Sequence, residues 1–224
     1  MQAILAGASG LVGSRLAREL GNRPGTNTVA LVRKRVETLP PGMQQALADF
    51  AHLDALAPVQ ADSVFCALGT TIAKAGSREA FRRVDYDTIL ELGRYGRRCQ
   101  ARQFLLVSSV DAFAGSRNFY LRVKGETERD LSALGYETVH IFRPSFLLGE
   151  RGEKRVGEAL GIAAIRAIGW VLAGPLSKYR GIQASVVARA MVAASGADAG
   201  RSGPAGVRVY QYREMVALAA GGGA

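Results

Sequence analysis

The sequence predicts an α/β fold, a doubly wound parallel sheet with helices on both faces, from three observations. Apolar runs of strand length alternate with amphipathic runs of helix length along most of the chain. A turn with three glycines, "GASGLVG" at 7–13, separates the first strand-like run from the first helix-like run. At 224 residues, 48% of them hydrophobic, the chain suits one substantial core better than two. The expected organisation is one domain over 1–224, with 150–205 forming a small, mostly helical lid on the substrate side.

The first strand is "QAILAG" (2–7). In the helix that follows (11–20), Leu11, Leu16 and Leu20 share one side and Arg15, Arg18 and Glu19 the other, before Gly21 and Pro24 end it. "TVALVR" (28–33) is the second strand, "QQALADF" (44–50) a short third after the Pro40-Pro41-Gly42 turn, and "SVFCALG" (63–69) a fourth. A helix over 78–100, a strand at 103–109, a helix over 118–134 and a strand at 137–144 continue the winding. Beyond Gly149 come helical stretches at 153–168 and 183–195, where Trp170 with Ile162, Ile165 and Ile168 reads as lid core. A last strand (207–211), a short helix (213–220) and a frayed "GGGA" follow.

Composition narrows the function classes. The opening residues have no basic stretch before their short apolar run and no small-residue cleavage site after it, so they predict a strand and not a secretory signal. The longest apolar stretch (159–176) is interrupted by Arg166 and ends at Gly174-Pro175, which predicts no membrane span. Cys66 and Cys99 lie far apart and suggest neither a disulfide framework nor a metal knuckle; with His52 and His140 the only histidines, no metal is expected, and the compartment expected is the cytoplasm. The net charge of +10 comes mostly from scattered arginines, and the absence of a clustered stripe argues against a nucleic-acid face.

Location gives the glycines their meaning. Gly7 permits a tight turn, Gly10 lets a cofactor backbone approach, and Gly13 lets helix and strand pack closely, so that backbone N–H groups of Ser9, Leu11 and Val12 and the helix N-terminus can face a pyrophosphate. Ser14-Arg15 follows the last glycine where a P-loop would have Lys-Ser or Lys-Thr, which argues against kinase or ATPase activity. The second strand ends in Arg33-Lys34-Arg35, with no carboxylate before Glu37. Cations there attract a 2′-phosphate where an acid would read the ribose of NAD, so NADP is expected, with NAD the alternative.

Tyr120 and Lys124 stand four residues apart, on one face of the predicted 118–134 helix. A phenol that ordinarily titrates at about pH 10 is a poor general base at neutral pH, but an ammonium one turn away favours the phenolate and can also hold a nicotinamide ribose. A hydroxyl at the end of the preceding strand, Ser108 or Ser109, is placed to hydrogen-bond a substrate oxygen.

Taken in order, "GASGLVG", "VFCALGTT", "LLVSSVDAF", "YLRVK" and "FRPSFLLG" resemble the NAD(P)-binding short-chain dehydrogenase/reductases, in their extended and atypical branches, over roughly residues 1–150. The likeness is strongest to the Tat-interacting-protein-like members, through "CALGTTIAKAGSREAFRRVD" and "YLRVKGETE" followed by "FRPSFLLGERGE". The resemblance implies a Rossmann fold, an NADPH site and a trio of Ser109, Tyr120 and Lys124. It also implies that Leu68 and Gly69 pass beside the cofactor, that Asp49 sits near the adenine, and that Arg143-Pro144 leads into the nicotinamide and substrate end. Two departures weigh against a sugar-nucleotide epimerase: Ser109 and Tyr120 are only eleven residues apart, and the segment beyond 150 is small.

His140 and His52 read as packed and surface residues, Cys66 as inert, and Asp85 and Asp87 as solvated or capping. The expected function is an oxidoreductase on a small carbonyl or alcohol. An NADPH-binding regulator with little turnover and a sugar-nucleotide epimerase or dehydratase are the alternatives, and oligomeric state is left open.

Overall fold

The computed structural model describes residues 1–149, 174–197 and 206–221. Strands β1 (Gln2–Ala6), β2 (Asn27–Val32), β3 (Gln44–Leu47), β4 (Ser63–Cys66), β5 (Gln103–Val107), β6 (Thr138–Phe142) and β9 (Gly206–Tyr210) form one seven-stranded sheet in the order β3-β2-β1-β4-β5-β6-β9. Every pairing in it is parallel. The chain leaves β1 to one side for β2 and returns to its other side for β4, which opens a crevice at the carboxyl ends of β1 and β4. A separate pair, β7 (Leu147–Leu148) with β8 (Ile182–Gln183), was not expected from the sequence.

Successive residues of β1 serve opposite faces. Ala3 and Leu5 join the core under helices α1 (Leu11–Gly21), α6 (Ala184–Ala197) and α7 (Tyr212–Gly221); Ile4 and Ala6 join the core on the other face, under α4 (Thr88–Arg98) and α5 (Phe119–Ser132). In α1, Val12, Leu16, Ala17 and Leu20 face the sheet, and each fully buried leucine contributes about 1.5–3 kcal/mol. In α6, Val187, Ala188, Met191 and Ala194 are buried in the same core. Of the stretch read as a lid, α6 therefore covers the sheet, whereas the predicted helix at 153–168 and Trp170 lie outside the described residues.

The helix expected over 78–100 is interrupted. A short α2 (Ile72–Ala75) and α3 (Arg78–Arg82) precede a π-helical turn, Arg83–Asp87, and only then does α4 run to Arg98. The strands are shorter than read because their carboxyl ends become loops: β3 stops at Leu47, β4 at Cys66, β5 at Val107 and β6 at Phe142. No helix among the described residues is long and apolar enough to cross a membrane.

Candidate functional site

The residues singled out in the sequence line up along one edge of the sheet. Asp49 follows β3, Arg33 and Lys34 follow β2, Gly7 follows β1, Leu68 and Gly69 follow β4, Ser108 and Ser109 follow β5, and Arg143 and Pro144 follow β6. Six adjacent strands, about 4.8 Å apart, thus present these positions in one row.

At the centre of this edge the turn after β1 is closed by its own backbone, the Gly10 N–H donating to the Gly7 carbonyl at 2.9 Å. Gly7 has φ +88°, and a Cβ there would lie 2.6 Å from the Ala67 carbonyl. A Cβ at Gly13 would lie 1.9 Å from the Gly7 carbonyl oxygen. The turn is therefore compressed between β4 and α1 to a spacing that only hydrogens fit. Gly10 caps α1 without a side-chain acceptor, and the first turn of that helix holds no acidic residue. Its leading N–H groups and positive dipole end are thus left for an anion. Ser9 is exposed, Leu11 half-buried and Val12 buried. This cradle fits a pyrophosphate.

Arg33, Lys34 and Arg35 are exposed and make no ion pair with the described residues. Asp49 is also exposed; its carboxylate accepts from the Ala51 N–H at 2.9 Å, which fixes the turn after β3.

The other end of the edge is built from side chains. Tyr120, Lys124 and Glu128 recur every fourth residue of α5 and so form one stripe. The half-buried Tyr120 ring lies 5.3 Å from that of the fully buried Phe81. Lys124 is 5% exposed and its Nζ stands 2.6 Å from Oδ1 of Asp85, which is wholly buried. Burial pulls the Lys124 ammonium down, but the negative charge of Asp85, with a smaller effect of Tyr120, outweighs it and holds the group above its ordinary value. Asp85 Oδ2 accepts from the Thr70 N–H at 2.9 Å, and a Cβ on Gly69 would stand 3.3 Å from Oδ1. Asp85 is thus neither solvated nor capping, as its place in a charged helical stretch suggested: the π turn tucks it inward. Asp87, on the same turn, is exposed.

Glu128 is the second acid that sequence reasoning missed. It accepts from the Ser108 hydroxyl and from Arg143, whose Nε lies at 3.0 Å and Nη2 at 2.5 Å, joining the ends of β5 and β6. Ser108 and the Arg143 guanidinium are engaged there, which leaves Ser109, half-exposed and with only a long 3.4 Å contact to the Val110 carbonyl, as the available hydroxyl. The Val110 N–H donates to the Pro144 carbonyl at 3.0 Å, tying the two strand ends together. The short loop from Ser109 to Tyr120 folds back onto its own helix, where a Cβ at Gly125 would stand 2.2 Å from the backbone of Phe113 and Ala114. At the loop's tip Asp111, with φ +59°, receives Lys178 Nζ at 2.5 Å and the Tyr179 hydroxyl at 2.8 Å.

Burial pushes the Cys66 thiol up to about 12, so it is no nucleophile. His140 is buried and shares a 3.0 Å hydrogen bond with the Tyr210 hydroxyl. Among the described residues no three His, Cys, Asp or Glu side chains could hold a metal ion.

A model of the NAD dependent epimerase/dehydratase family matches residues 3–198. The chain belongs to that family. Rat Protein HTATIP2 is 38% identical over 160 residues, 69% of this chain and 66% of the rat protein. Protein FMP52, mitochondrial, of Coccidioides immitis is 29% identical over 96% of this chain and 94% of its own length; its Aspergillus fumigatus counterpart is 33% identical over 84% of each. These relatives agree with the branch that the motifs resemble. Among solved structures, the Helicobacter pylori ADP-L-glycero-D-manno-heptose-6-epimerase superposes with a TM-score of 0.69 at 18% identity, over 99% of this chain and 81% of that one. The UDP-glucose 4-epimerase of Thermotoga maritima gives 0.68 at 17%, over 94% and 77%. The fold is Rossmann-like, and a nicotinamide dinucleotide is the cofactor of the family.

Proposed function

We propose that the chain is an NADP(H)-dependent oxidoreductase acting on a small carbonyl or alcohol substrate. The observation that carries this reading is the file of residues along the carboxyl edge of the sheet, from a basic cluster after β2 to a tyrosine and lysine on α5. Ser9, Gly10, Leu11 and Val12 would hold the pyrophosphate, Arg33 and Lys34 a 2′-phosphate, and Asp49 the adenine. Leu68, Gly69 and Ser108 would flank the nicotinamide half, and Lys124 would hold its ribose. Arg143 acts through Glu128 in shaping the end of β6, and Pro144 would lead the chain into the nicotinamide and substrate end.

A nicotinamide bound there would supply or take up the hydride. In the reducing direction the Ser109 hydroxyl donates a hydrogen bond to the carbonyl oxygen, and Tyr120 donates it a proton as that oxygen gains charge. Lys124, one turn away, stabilises the phenolate left behind. Oxidation of an alcohol runs the same steps backwards.

Two measurements test the reading. NADPH is expected to bind at least about tenfold more tightly than NADH, with the difference lost in Arg33→Asp, because a charge-assisted hydrogen bond is worth about 1.5–3 kcal/mol. Across a panel of aldehydes and ketones, Tyr120→Phe is expected to slow turnover by about 10²–10⁴-fold; unchanged turnover would remove its role. A sugar-nucleotide epimerase is the second reading, supported by the structural neighbours, which are epimerases. It predicts NAD retained through purification, which mass spectrometry of the denatured protein detects. For location we propose the cytoplasm, in keeping with two free, buried cysteines, although the fungal relatives are described as mitochondrial.

A further inference from the structure

We infer that Asp85 is a positioning residue: its buried carboxylate keeps the Lys124 ammonium charged and ties it to the segment Leu68–Thr70 that leaves β4. The inference deepens the oxidoreductase reading and rests on it for its consequence in turnover.

The argument begins with solvation. A lysine removed from water without a counter-ion gives up its proton, and a neutral amine would do little to stabilise a phenolate at Tyr120. Lys124 is 5% exposed. Among the described residues three titratable groups face it: Asp85 from the π turn, Tyr120 from the preceding turn of α5, and Cys66 from β4. Burial holds the Cys66 thiol protonated, and Tyr120 must carry its proton to donate it. Among the described residues Asp85 is then the one anion facing the ammonium, and its Oδ1 is 2.6 Å from Nζ.

The carboxylate is itself anchored by backbone. Oδ2 accepts from Thr70 N–H at 2.9 Å, and the Asp85 carbonyl lies 2.8 Å from the Thr127 hydroxyl of α5. The absence of a side chain at Gly69 brings the post-β4 segment against the ion pair. A π turn adds a residue to the helical path and so rotates one side chain out of the regular pattern; here that residue reaches inward beneath the catalytic stripe. Asp85 thus joins the loop expected to run beside the cofactor to the lysine expected to hold its ribose.

The test is a lysine-selective ¹⁵N NMR titration of the full chain, which has five lysines, with the Lys124 signal assigned by Lys124→Gln. In the unaltered protein the Lys124 ammonium is expected to persist above the ordinary lysine range. Asp85→Asn should move its loss down by at least about one pH unit, and Asp85→Glu should restore most of the shift. In turnover with NADPH, Asp85→Asn should pull in the alkaline limb of the pH profile, whereas a purely structural role would lower the rate equally at every pH. A Lys124 titration unmoved in Asp85→Asn overturns the inference. Should Asp85→Asn not fold, Asp85→Asn/Lys124→Gln decides: recovery of the fold supports an uncompensated lysine charge as the cause, and failure to recover overturns it. The titration needs no substrate, so a shifted Lys124 in a protein without carbonyl turnover would sink the oxidoreductase reading alone, and an unmoved Lys124 with normal turnover would sink this inference alone.

Discussion

The two ends of the candidate site are made of different materials. Around Gly7, Gly10 and Gly13 the candidate surface is backbone: amide groups at the start of α1, with no side-chain cap and no charge of its own. Along α5 it is side chains: Tyr120, Lys124 and Glu128, with the last two neutralised by partners from the π turn and from the loop after β6. A backbone site depends on excluding atoms, and a side-chain site on balancing charges. The first tolerates no added volume and the second no lost partner.

Gly13→Val is the largest blow that this contrast predicts. Its side chain would begin 1.9 Å from a carbonyl oxygen that cannot move without dislodging β1, so a loss of more than about 4 kcal/mol is expected in urea unfolding, together with loss of dinucleotide binding. Wild-type stability in that variant would contradict the packing described. Arg143→Met comes next. It strands Glu128, and breaking a buried pair from one side costs about 3 kcal/mol; Glu128→Gln/Arg143→Met is expected to regain most of it, which denaturant midpoints would establish.

Smallest is the rim pair, Asp111 with Lys178. The hydrogen bond from Lys178 holds the Asp111 carboxyl below the usual carboxylate range, and the same bond raises Lys178. A lowered acid contributes stability above its unfolded value and loses it as pH falls through the folded one; a raised base loses it as pH rises through its folded value. Both residues are about one-third exposed, so Asp111→Asn should cost less than about 1 kcal/mol, with 1 M salt erasing the difference. Thermal melts from pH 3 to 7 would check it, and a variant indistinguishable from wild type above pH 5 in low salt would show that the contact contributes nothing.

The same contrast decides what could be read from the chain alone. Glycine spacing is local, and its position between an apolar run and an amphipathic one fixed the turn; the alternation of such runs likewise revealed the doubly wound sheet. Tyr120 and Lys124 were legible because four residues on a helix is a contact in any fold. Asp85 was misread because its inward turn comes from the π segment, and "RRVDYD" reads as a charged helix surface. The Glu128 link to Ser108 and Arg143 spans three elements, although its four-residue spacing from Lys124 was a signal within reach. The ends of β3 and β4 were overextended because Ala48 and Ala67-Leu68 carry the apolar runs into loops, where apolarity no longer implies pairing, whereas β5 and β6 simply turn at Ser108 and Arg143.

Gly125 carries a last consequence. With one hydrogen in place of a methyl, the loop after β5 lies against the helix it feeds, Phe113 and Ala114 pressed onto the Gly125 backbone. A single carbon added there would act as a wedge, prising the loop that carries Ser109 off the helix that carries Tyr120 while leaving both side chains chemically intact.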